Sequence, residues 1–252
     1  MTWRAVAGAF AAFLLLPLLL VVGFSFTGRT LTNFPFEGPS LRWWAEMLAT
    51  RQFPEALGNS LLIAAVVGVL SAAVGSAAAI GLSLLPARRS VLAIAVLCLP
   101  LMLPPLVLGV ALASFYVAVG LRPSLLTVIL SHLLFTLPFV IVVVYARMAS
   151  FDHRVVESAR DLDASAWTAF RTVTLPLIQP TLVGAALLAV ALSLDDFVIT
   201  FFTIGGGNTL PTLVWGMVRT SLDPTINAMA TLLIALSVGS TVLALRLSRY
   251  RG

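Results

Sequence analysis

The sequence is poor in the residue types that build soluble active sites. It has no lysine, one cysteine and two histidines, and only 10% of its 252 residues are charged. A single cysteine excludes an internal disulfide and a cysteine-based metal site, so Cys98 is interpreted as a small buried hydrophobic residue. Two histidines without an acidic cluster predict no metal site, and no cofactor is expected.

Motifs for nucleotide hydrolysis and for other catalysis are absent from the sequence as well. The triple glycine at 205–207 lacks the strand and the lysine of a phosphate-binding loop, so it is interpreted as a turn. The sequence offers no Ser/His/Asp set and no paired acids at a common depth in the membrane. We therefore expect a chain that is not an enzyme, and a membrane-embedded enzyme has no support.

Apolar residues dominate the composition. They make up 60% of the chain, and the mean hydropathy is +1.07. A helix needs ~20 apolar residues to cross ~30 Å of hydrocarbon. The segments of that length are 6–26, 59–85, 91–119, 125–146, 182–202 and 226–245. The sequence therefore predicts an all-α, multi-pass membrane protein with six transmembrane helices.

The first apolar segment has a second interpretation, a cleaved signal peptide, because Arg4 precedes it. The segment is about as long as a full span, however, and residues 23–27 lack an A-x-A cleavage pattern. A retained helix is therefore expected.

The distribution of arginine predicts the orientation of the chain. Cytoplasmic loops collect positive charge, and alternate connections carry ten and five arginines. The first set is Arg4, Arg88, Arg89, Arg147, Arg154, Arg160, Arg171, Arg246, Arg249 and Arg251, and the second is Arg29, Arg42, Arg51, Arg122 and Arg219. Both termini and the segment 148–180 are thus predicted to be cytoplasmic. This topology accounts for the net charge of +5, which indicates no nucleic-acid partner.

Prolines fall inside the third predicted span. Pro100, Pro104 and Pro105 remove hydrogen-bond donors and kink a helix, which membrane proteins tolerate where neighbours or a cavity satisfy the freed groups. Both a static kink and a hinge or pathway-lining break fit this pattern.

Outside the spans, residues 41–57 are predicted to form a short amphipathic helix, with Trp43 and Trp44 as interfacial anchors.

The segment 148–180 is polar and lies between two apolar runs. From Val155 to Val173, apolar or small residues recur every three or four positions, which predicts two short amphipathic helices broken near Asp163. Helices of this kind rest on a bilayer surface or dock into a groove of another protein.

The identity of its residues favours docking, because the segment resembles the coupling loop of type I ABC transporter permeases. That family's pattern is Glu-Ala-Ala, three residues, Gly, nine residues and Ile-x-Leu-Pro. The residues that match its spacing are Glu157-Ser158-Ala159, Asp163 and Val173-Thr174-Leu175-Pro176. Asp163 replaces the glycine of a turn, and aspartate is one of the few other residues that accept a left-handed backbone.

The resemblance implies a role for the loop, residues 148–175, and a set of partners. The loop would dock into a cleft of a cytoplasmic ATPase and transmit its closure to the membrane helices. The implied docking residues are Glu157, Ser158, Ala159, Arg160, Asp161, Leu162, Asp163 and Ala164. The implied partners are an ATPase dimer, a second and different permease subunit, an extracytoplasmic solute-binding protein and the lipid bilayer.

The implied fold is that of type I importer permeases (MetI-like) in a bacterial inner membrane. It would occupy residues 58–247, after an N-terminal helix and external loop at 1–57 and before a cytoplasmic tail at 248–252. Within the family the chain is most similar to the spermidine and putrescine permeases. The residues that carry this similarity are Ser131-His132, Leu137-Pro138, Ser193-Leu194-Asp195-Asp196-Phe197-Val198-Ile199-Thr200, Leu210-Pro211, Met217-Val218-Arg219 and Pro224-x-Ile226-Asn227-Ala228.

This similarity implies a polyamine cargo, with another amine, ferric iron or an inorganic anion as the alternative. A secondary transporter of small organic cations is the competing function. Such a carrier would have no reason to keep a coupling loop, and the first spans lack charged residues at mid-membrane.

Two acidic residues fall in the fifth predicted span, where an ionised carboxylate is costly unless it faces a cavity, a partner or a substrate. Neighbours on a helix point ~100° apart, so at most one of Asp195 and Asp196 is expected to face the pathway. They either attract a cationic substrate or cap a helix end and pair with Arg219. Trp215 is interpreted as an interfacial anchor or a cation–π contact for an amine, and His132 as a packing hydrogen-bonder. The predicted pathway residues are Asp195, Asp196, Trp215, Pro104 and Pro105.

Overall fold

The computed structural model describes residues 2–28, 38–220 and 223–249, which are mostly helical. The helices are α1 (Thr2–Phe24), α2 (Arg42–Ala49), α3 (Phe53–Ser83), α4 (Ala87–Leu97), α5 (Pro105–Ala118), α6 (Leu125–Ala149), α7 (Arg154–Asp161), α8 (Ala166–Ala169), α9 (Leu175–Asp195), α10 (Val198–Thr203), α11 (Leu210–Thr220) and α12 (Thr225–Arg249). A 3₁₀ turn (Leu99–Met102) follows α4, and a π-helical turn (Phe170–Thr174) precedes α9. Arg29, Arg251 and the end of the predicted tail lie outside the described residues.

Within these ranges, five helices are long and apolar enough to cross a membrane. They cover Trp3–Phe24, Phe53–Ser83, Leu125–Ala149, Ala166–Asp195 and Thr225–Leu247, and α5 is a shorter apolar helix. The predicted all-α, multi-pass fold class is confirmed.

The third predicted span, 91–119, is broken rather than kinked. Leu103 and Pro104 have extended ψ angles of 137° and 135°, because a residue that precedes a proline is driven out of the α region. Helical structure resumes at Pro105, the first residue of α5, where the missing N–H of proline costs no helical hydrogen bond. Two consecutive prolines therefore divide this span into α4, the 3₁₀ turn and α5.

Two other helix predictions are wrong in their boundaries. A single helix over 41–57 would put Pro54 in its interior, where the ring clashes with the carbonyl of residue 50. Thr50 accordingly has an extended ψ of 118°, so α2 ends at Ala49 and a new helix begins at Phe53. A single helix over 182–202 is also wrong, since α9 ends at Asp195 and α10 starts at Val198.

The chain divides into two compact units, residues 1–59 with 208–236 and residues 60–207 with 237–252. The first unit has an apolar core to which α2, α3, α11 and α12 contribute Trp43, Met47, Phe53, Ala56, Leu210, Leu213, Ala228 and Met229. In the second unit, α6 packs against α9 around Val140, Val144, Ile178 and Ala185.

Buried hydroxyl groups and an imidazole on α6 connect it to other helices of the second unit. Hydrogen bonds between helices in a membrane contribute about 0.6–2 kcal/mol each, and they also satisfy polar groups that lipid cannot. The pairs are Thr136 with Ser71 of α3 at 2.8 Å, Ser131 with Tyr116 of α5 at 3.0 Å, Thr127 with the Thr203 carbonyl of α10 at 2.7 Å, and His132 with Ser193 of α9 and Thr200 of α10. The interpretation of His132 as a packing hydrogen-bonder is confirmed.

Glycines allow close approach between helices in the second unit. A Cβ atom at Gly68 would lie 2.5 Å from Val190 Cγ2 and 3.4 Å from the Ala186 carbonyl oxygen of α9. By contrast, a Cβ atom at Gly81, further along the same helix, would meet nothing within 4 Å.

We predict that Gly68→Val lowers the stability of the folded chain whereas Gly81→Val does so much less. Overpacking a helix contact costs about 1–3 kcal/mol, which corresponds to a fall of several degrees in Tm. The measurement is thermal unfolding of the purified protein in detergent. Equal Tm values for the two variants would contradict the proposed close contact, because both substitutions place the same side chain on the same helix.

Candidate functional site

The break between α9 and α10 is stabilised by the side chain of Asp196. This residue has an extended ψ of 121°, and its Oδ2 accepts hydrogen bonds from the backbone N–H and the hydroxyl of Thr200, both at 2.9 Å. Asp196 therefore provides an acceptor for a backbone N–H at the start of α10, as capping carboxylates do. The capping interpretation holds for this residue.

His132 of α6 contacts both sides of this break. Its Nδ1 lies 2.8 Å from Ser193 Oγ on α9, and its Nε2 lies 2.9 Å from Thr200 Oγ1 on α10. The same Nε2 lies 3.3 Å from Asp196 Oδ2. The imidazole is 1% exposed and the Asp196 side chain 12% exposed, so this network is largely shielded from solvent.

A cavity of about 350 Å³ opens beside the break. Its wall is mainly apolar and comes from the 3₁₀ turn, α5, α6 and the α9–α10 junction. The lining residues are Pro100, Leu101, Leu103, Pro105, Leu108, Phe135, Leu192, Asp195, Asp196, Phe197, Val198 and Ile199. Two carboxylates thus lie in the wall of an otherwise apolar space.

The two carboxylates differ in their surroundings. Asp195 is exposed, and within the described part of the chain no hydrogen bond or ion pair involves its side chain. Asp196 accepts hydrogen bonds and is mostly covered. The expected helical step of ~100° between them does not apply, because Asp196 has left the helix. Asp195 is therefore the carboxylate available to a solute in the cavity.

The remaining predicted pathway residues differ in whether they line the cavity. Pro105 lines the cavity, whereas Pro104, which starts the break, is not among the lining residues. Trp215 belongs to α11 in the first unit and is 42% exposed. The predicted turn at the triple glycine is present, with a φ of +76° at Gly205, where an added Cβ would lie 2.7 Å from the Pro123 carbonyl oxygen.

The segment between α6 and α9 contains the two short helices predicted from its periodicity, α7 and α8. They are separated by Asp163, which has a φ of +63° and is the one non-glycine residue of the described ranges with a positive φ. The predicted left-handed turn is therefore confirmed. Ser165 then caps α8, since its hydroxyl accepts a hydrogen bond from the Thr168 N–H at 3.1 Å.

Large apolar side chains on this segment are exposed. Leu162 is 84% exposed and Trp167 is 67% exposed, with the Trp167 ring stacked on Phe170 at 5.6 Å between centroids. Val156 faces the other way and packs against the core of the second unit. The predicted docking residues that are exposed are Glu157, Ser158, Arg160, Asp161, Leu162 and Asp163, whereas Ala159 and Ala164 are partly covered. The segment thus has one attached face and one unpartnered apolar face.

Sequence reasoning missed the hydroxyl partners at the break and the π-helical turn. Thr200 follows Asp196 by four residues. Aspartate side chains accept hydrogen bonds from backbone N–H groups and hydroxyls that are near in sequence, so this spacing could have predicted the contact. The π-helical turn comes just before Pro176, which has no N–H for a regular helical hydrogen bond. That proline was the available signal there.

Comparison with known families identifies the chain. A family model described as the inner membrane component of binding-protein-dependent transport systems matches residues 74–250. The chain belongs to this family. It is accordingly an ABC importer permease, a multi-pass transport protein of the bacterial inner membrane.

Relatives of known function cover most of this permease. It is 32% identical to the spermidine/putrescine transport system permease protein PotC of Haemophilus influenzae, over 94% of this chain and 93% of the relative. It is 36% identical to the putrescine transport system permease protein PotI of Escherichia coli, over 88% and 82% of the two chains.

Solved structures share the fold at low sequence identity. A chain of the MetNI methionine ABC transporter aligns with a TM-score of 0.64 and 18% identity, over 81% of this permease and 98% of that chain. A chain of a bacterial ABC transporter that imports the acidic polysaccharide alginate aligns with a TM-score of 0.68 and 14% identity, over 99% and 95%. At these identities the likeness establishes the fold alone.

We predict that Asp163→Val loosens the segment between α7 and α8, whereas Asp163→Gly does not. A left-handed conformation costs about 1–2 kcal/mol for ordinary L-residues and more when the side chain is β-branched, so local opening should rise about tenfold. Chymotrypsin cleavage after Trp167, followed over time, measures that opening.

Asp161→Val is the matched control, because it makes the same chemical change two residues away at the helical end of α7. Its cleavage rate should stay within about twofold of the original, since β-branched residues are only mildly unfavourable in helices. If both valine variants are cleaved at the same rate, the left-handed backbone at Asp163 does not control the order of this segment.

Proposed function

We propose that the chain is one of two permease subunits of an ABC importer for polyamines, and that the cavity beside the α9–α10 break forms part of the solute route. The observation that carries this proposal is the exposed carboxylate of Asp195 in an otherwise apolar cavity. The names of the relatives, which are spermidine and putrescine permeases, support the same cargo.

The chemistry of the cavity suits a polyamine, which alternates ammonium groups with methylene chains. Leu101 and Leu103 offer apolar contact to methylene groups, and Phe135 offers a ring face to a cation. The Asp195 carboxylate offers charge, since two unit charges ~4 Å apart attract by about 4 kcal/mol at an effective dielectric of ~20. An anionic solute would be repelled by the same group.

We further propose that residues 148–175 form the contact with a separate ATPase dimer on the cytoplasmic side. Leu162 and Trp167 are exposed on the free face of this segment, and the Trp167 ring stacks on Phe170. Grouped apolar surface with polar residues around it marks protein-binding sites. The attached face reaches the membrane helices through Val156, so movement of the loop has a packed route to α6 and α9. A second permease subunit and an extracytoplasmic solute-binding protein complete the proposed importer.

We predict that Asp195→Asn lowers polyamine uptake by more than about tenfold, while Asp196→Asn has a smaller effect. Removing the Asp195 charge takes away the attraction to a passing ammonium group, and tenfold corresponds to ~1.4 kcal/mol. Asparagine at 196 keeps an oxygen that accepts the Thr200 N–H. The measurement is uptake of radiolabelled putrescine and spermidine by the reconstituted importer, at equal amounts of assembled complex.

Normal uptake by the Asp195→Asn importer would remove the carboxylate from the proposed route. An importer that carries an anion and ignores polyamines would overturn the proposed cargo as a whole. Neither result would affect membership of the permease family, which rests on the match over residues 74–250.

We predict that Leu162→Asp uncouples ATP hydrolysis from transport. Because Leu162 is 84% exposed in the isolated chain, its replacement should leave the fold intact but put a charge into the proposed contact. A buried, unpaired charge at an interface costs several kcal/mol, so capture of the ATPase should fall about tenfold or more. Leu162→Met, which keeps an apolar side chain of similar size, should behave like the original.

Cross-linking provides the direct measurement. A cysteine placed at Ser158, in a chain whose Cys98 is replaced by alanine, should capture an ATPase subunit in the intact importer. Leu162→Asp should lower that capture about tenfold or more, whereas Leu162→Met should not. If the cysteine at 158 never captures an ATPase subunit, the segment is not the contact.

A further inference from the structure

We propose that His132 is a positioning residue that assigns different roles to the two neighbouring carboxylates. By holding Asp196 against the start of α10, His132 leaves Asp195 as the one free carboxylate in the wall of the cavity. The inference rests on the proposed function for its meaning in transport, but the arrangement of the side chains can be tested without any transported solute.

His132 contacts both sides of the break. Its two nitrogens contact Ser193, three residues before Asp196, and Thr200, four residues after it. A single buried ring on α6 therefore joins the end of α9 to the start of α10. Where a helix is interrupted inside a membrane, such side-chain contacts take over from the missing backbone hydrogen bonds.

The Thr200 hydroxyl lies between Asp196 and His132. The Thr200 hydroxyl has one proton, which it donates to Asp196 Oδ2, so towards His132 Nε2 it acts as an acceptor. We therefore assign the ring hydrogen to Nε2, which donates to Thr200 Oγ1 at 2.9 Å and lies 3.3 Å from Asp196 Oδ2. Two hydrogen-bond donors converge on Asp196 Oδ2, the Thr200 N–H and the Thr200 hydroxyl, and His132 Nε2 lies 3.3 Å from the same oxygen.

The two carboxylates beside the cavity differ in their hydrogen bonds. Asp195 and Asp196 are adjacent in sequence and both line the cavity, so a polyamine could in principle find two anionic groups there. Two free carboxylates would hold a cation more tightly and delay its release, whereas passage requires binding that is weak enough to leave. In the proposed arrangement, His132 keeps the Asp196 carboxylate in contacts within the protein, so Asp195 alone is left to bind the cation.

The test uses variants that separate the two nitrogens of the ring. Glutamine can place an amide N–H near the position of Nε2 and so retain the contact with Thr200 and Asp196. Asparagine is shorter and reaches only towards Ser193. Thr136→Val serves as the matched control on α6, because the Thr136 hydroxyl contacts Ser71 and the backbone carbonyl of His132, but no side chain at the break.

The experiment is carbodiimide labelling of the intact, purified importer in lipid nanodiscs, in an Asp195→Asn background that leaves Asp196 as the one carboxylate in the cavity wall. A water-soluble carbodiimide and an isotopically labelled amine modify accessible carboxylates, and mass spectrometry of the 175–203 region gives the rate at Asp196. We expect His132→Asn to raise this rate about fivefold or more, because the freed carboxylate spends more time in the cavity. His132→Gln and Thr136→Val should each stay within about twofold of the Asp195→Asn background.

The proposal is overturned if Asp196 is labelled equally fast with and without His132, or if Thr136→Val accelerates labelling as much as His132→Asn does. Putrescine uptake adds a second readout in the otherwise unmodified importer, where His132→Asn should lower both KM and kcat whereas His132→Gln should not. Loss of kcat alone, in proportion to lost assembly, would indicate a merely structural role and overturn the proposal. If the unmodified importer fails to carry putrescine or spermidine, the proposed cargo fails, and the labelling rates still decide the role of His132.

Discussion

Lipid offers no hydrogen bonds, so every interruption of a membrane helix must be satisfied from within the protein. The second unit contains two such interruptions, one at Leu103 and Pro104 and one at Asp196. At the first, proline has no N–H to satisfy. At the second, a carboxylate, a hydroxyl and an imidazole supply the partners. Both interruptions border the same cavity, since Leu103 and Asp196 line it. The constraint that makes broken helices costly therefore also concentrates polar groups where a solute could use them.

The sequence predicted the approximate positions of the apolar segments, because length and hydropathy are enough to identify a membrane helix. It did not predict that the third of the six would be divided, which leaves five helices of spanning length in the described ranges. It also predicted α7 and α8, whose apolar residues recur with helical spacing, and the left-handed turn at Asp163. These features depend on the residues of one short segment, so they can be predicted without knowing which other segments it contacts.

The features that escaped prediction depend on contacts between distant segments. Nothing near Asp196 in sequence indicates that His132, on another helix, will meet Ser193 and Thr200. The hydropathy of 182–202 likewise hides the break, because the residues on either side of Asp195 and Asp196 are apolar. Boundaries were also misjudged at prolines. The predicted helix over 41–57 ignored Pro54, and the third span was predicted as one segment, whereas the backbone leaves the helix at Thr50 and at Leu103.

The exposed face of the segment between α6 and α9 also has a consequence for a subunit that has not yet assembled with its partners. Leu162 and Trp167 display apolar surface to water, which is the feature that chaperones and proteases use to recognise incomplete proteins. In the proposed importer, an assembled subunit hides this surface, whereas a subunit made in excess of its partners keeps it uncovered. The same two side chains would then mark unassembled subunits for removal.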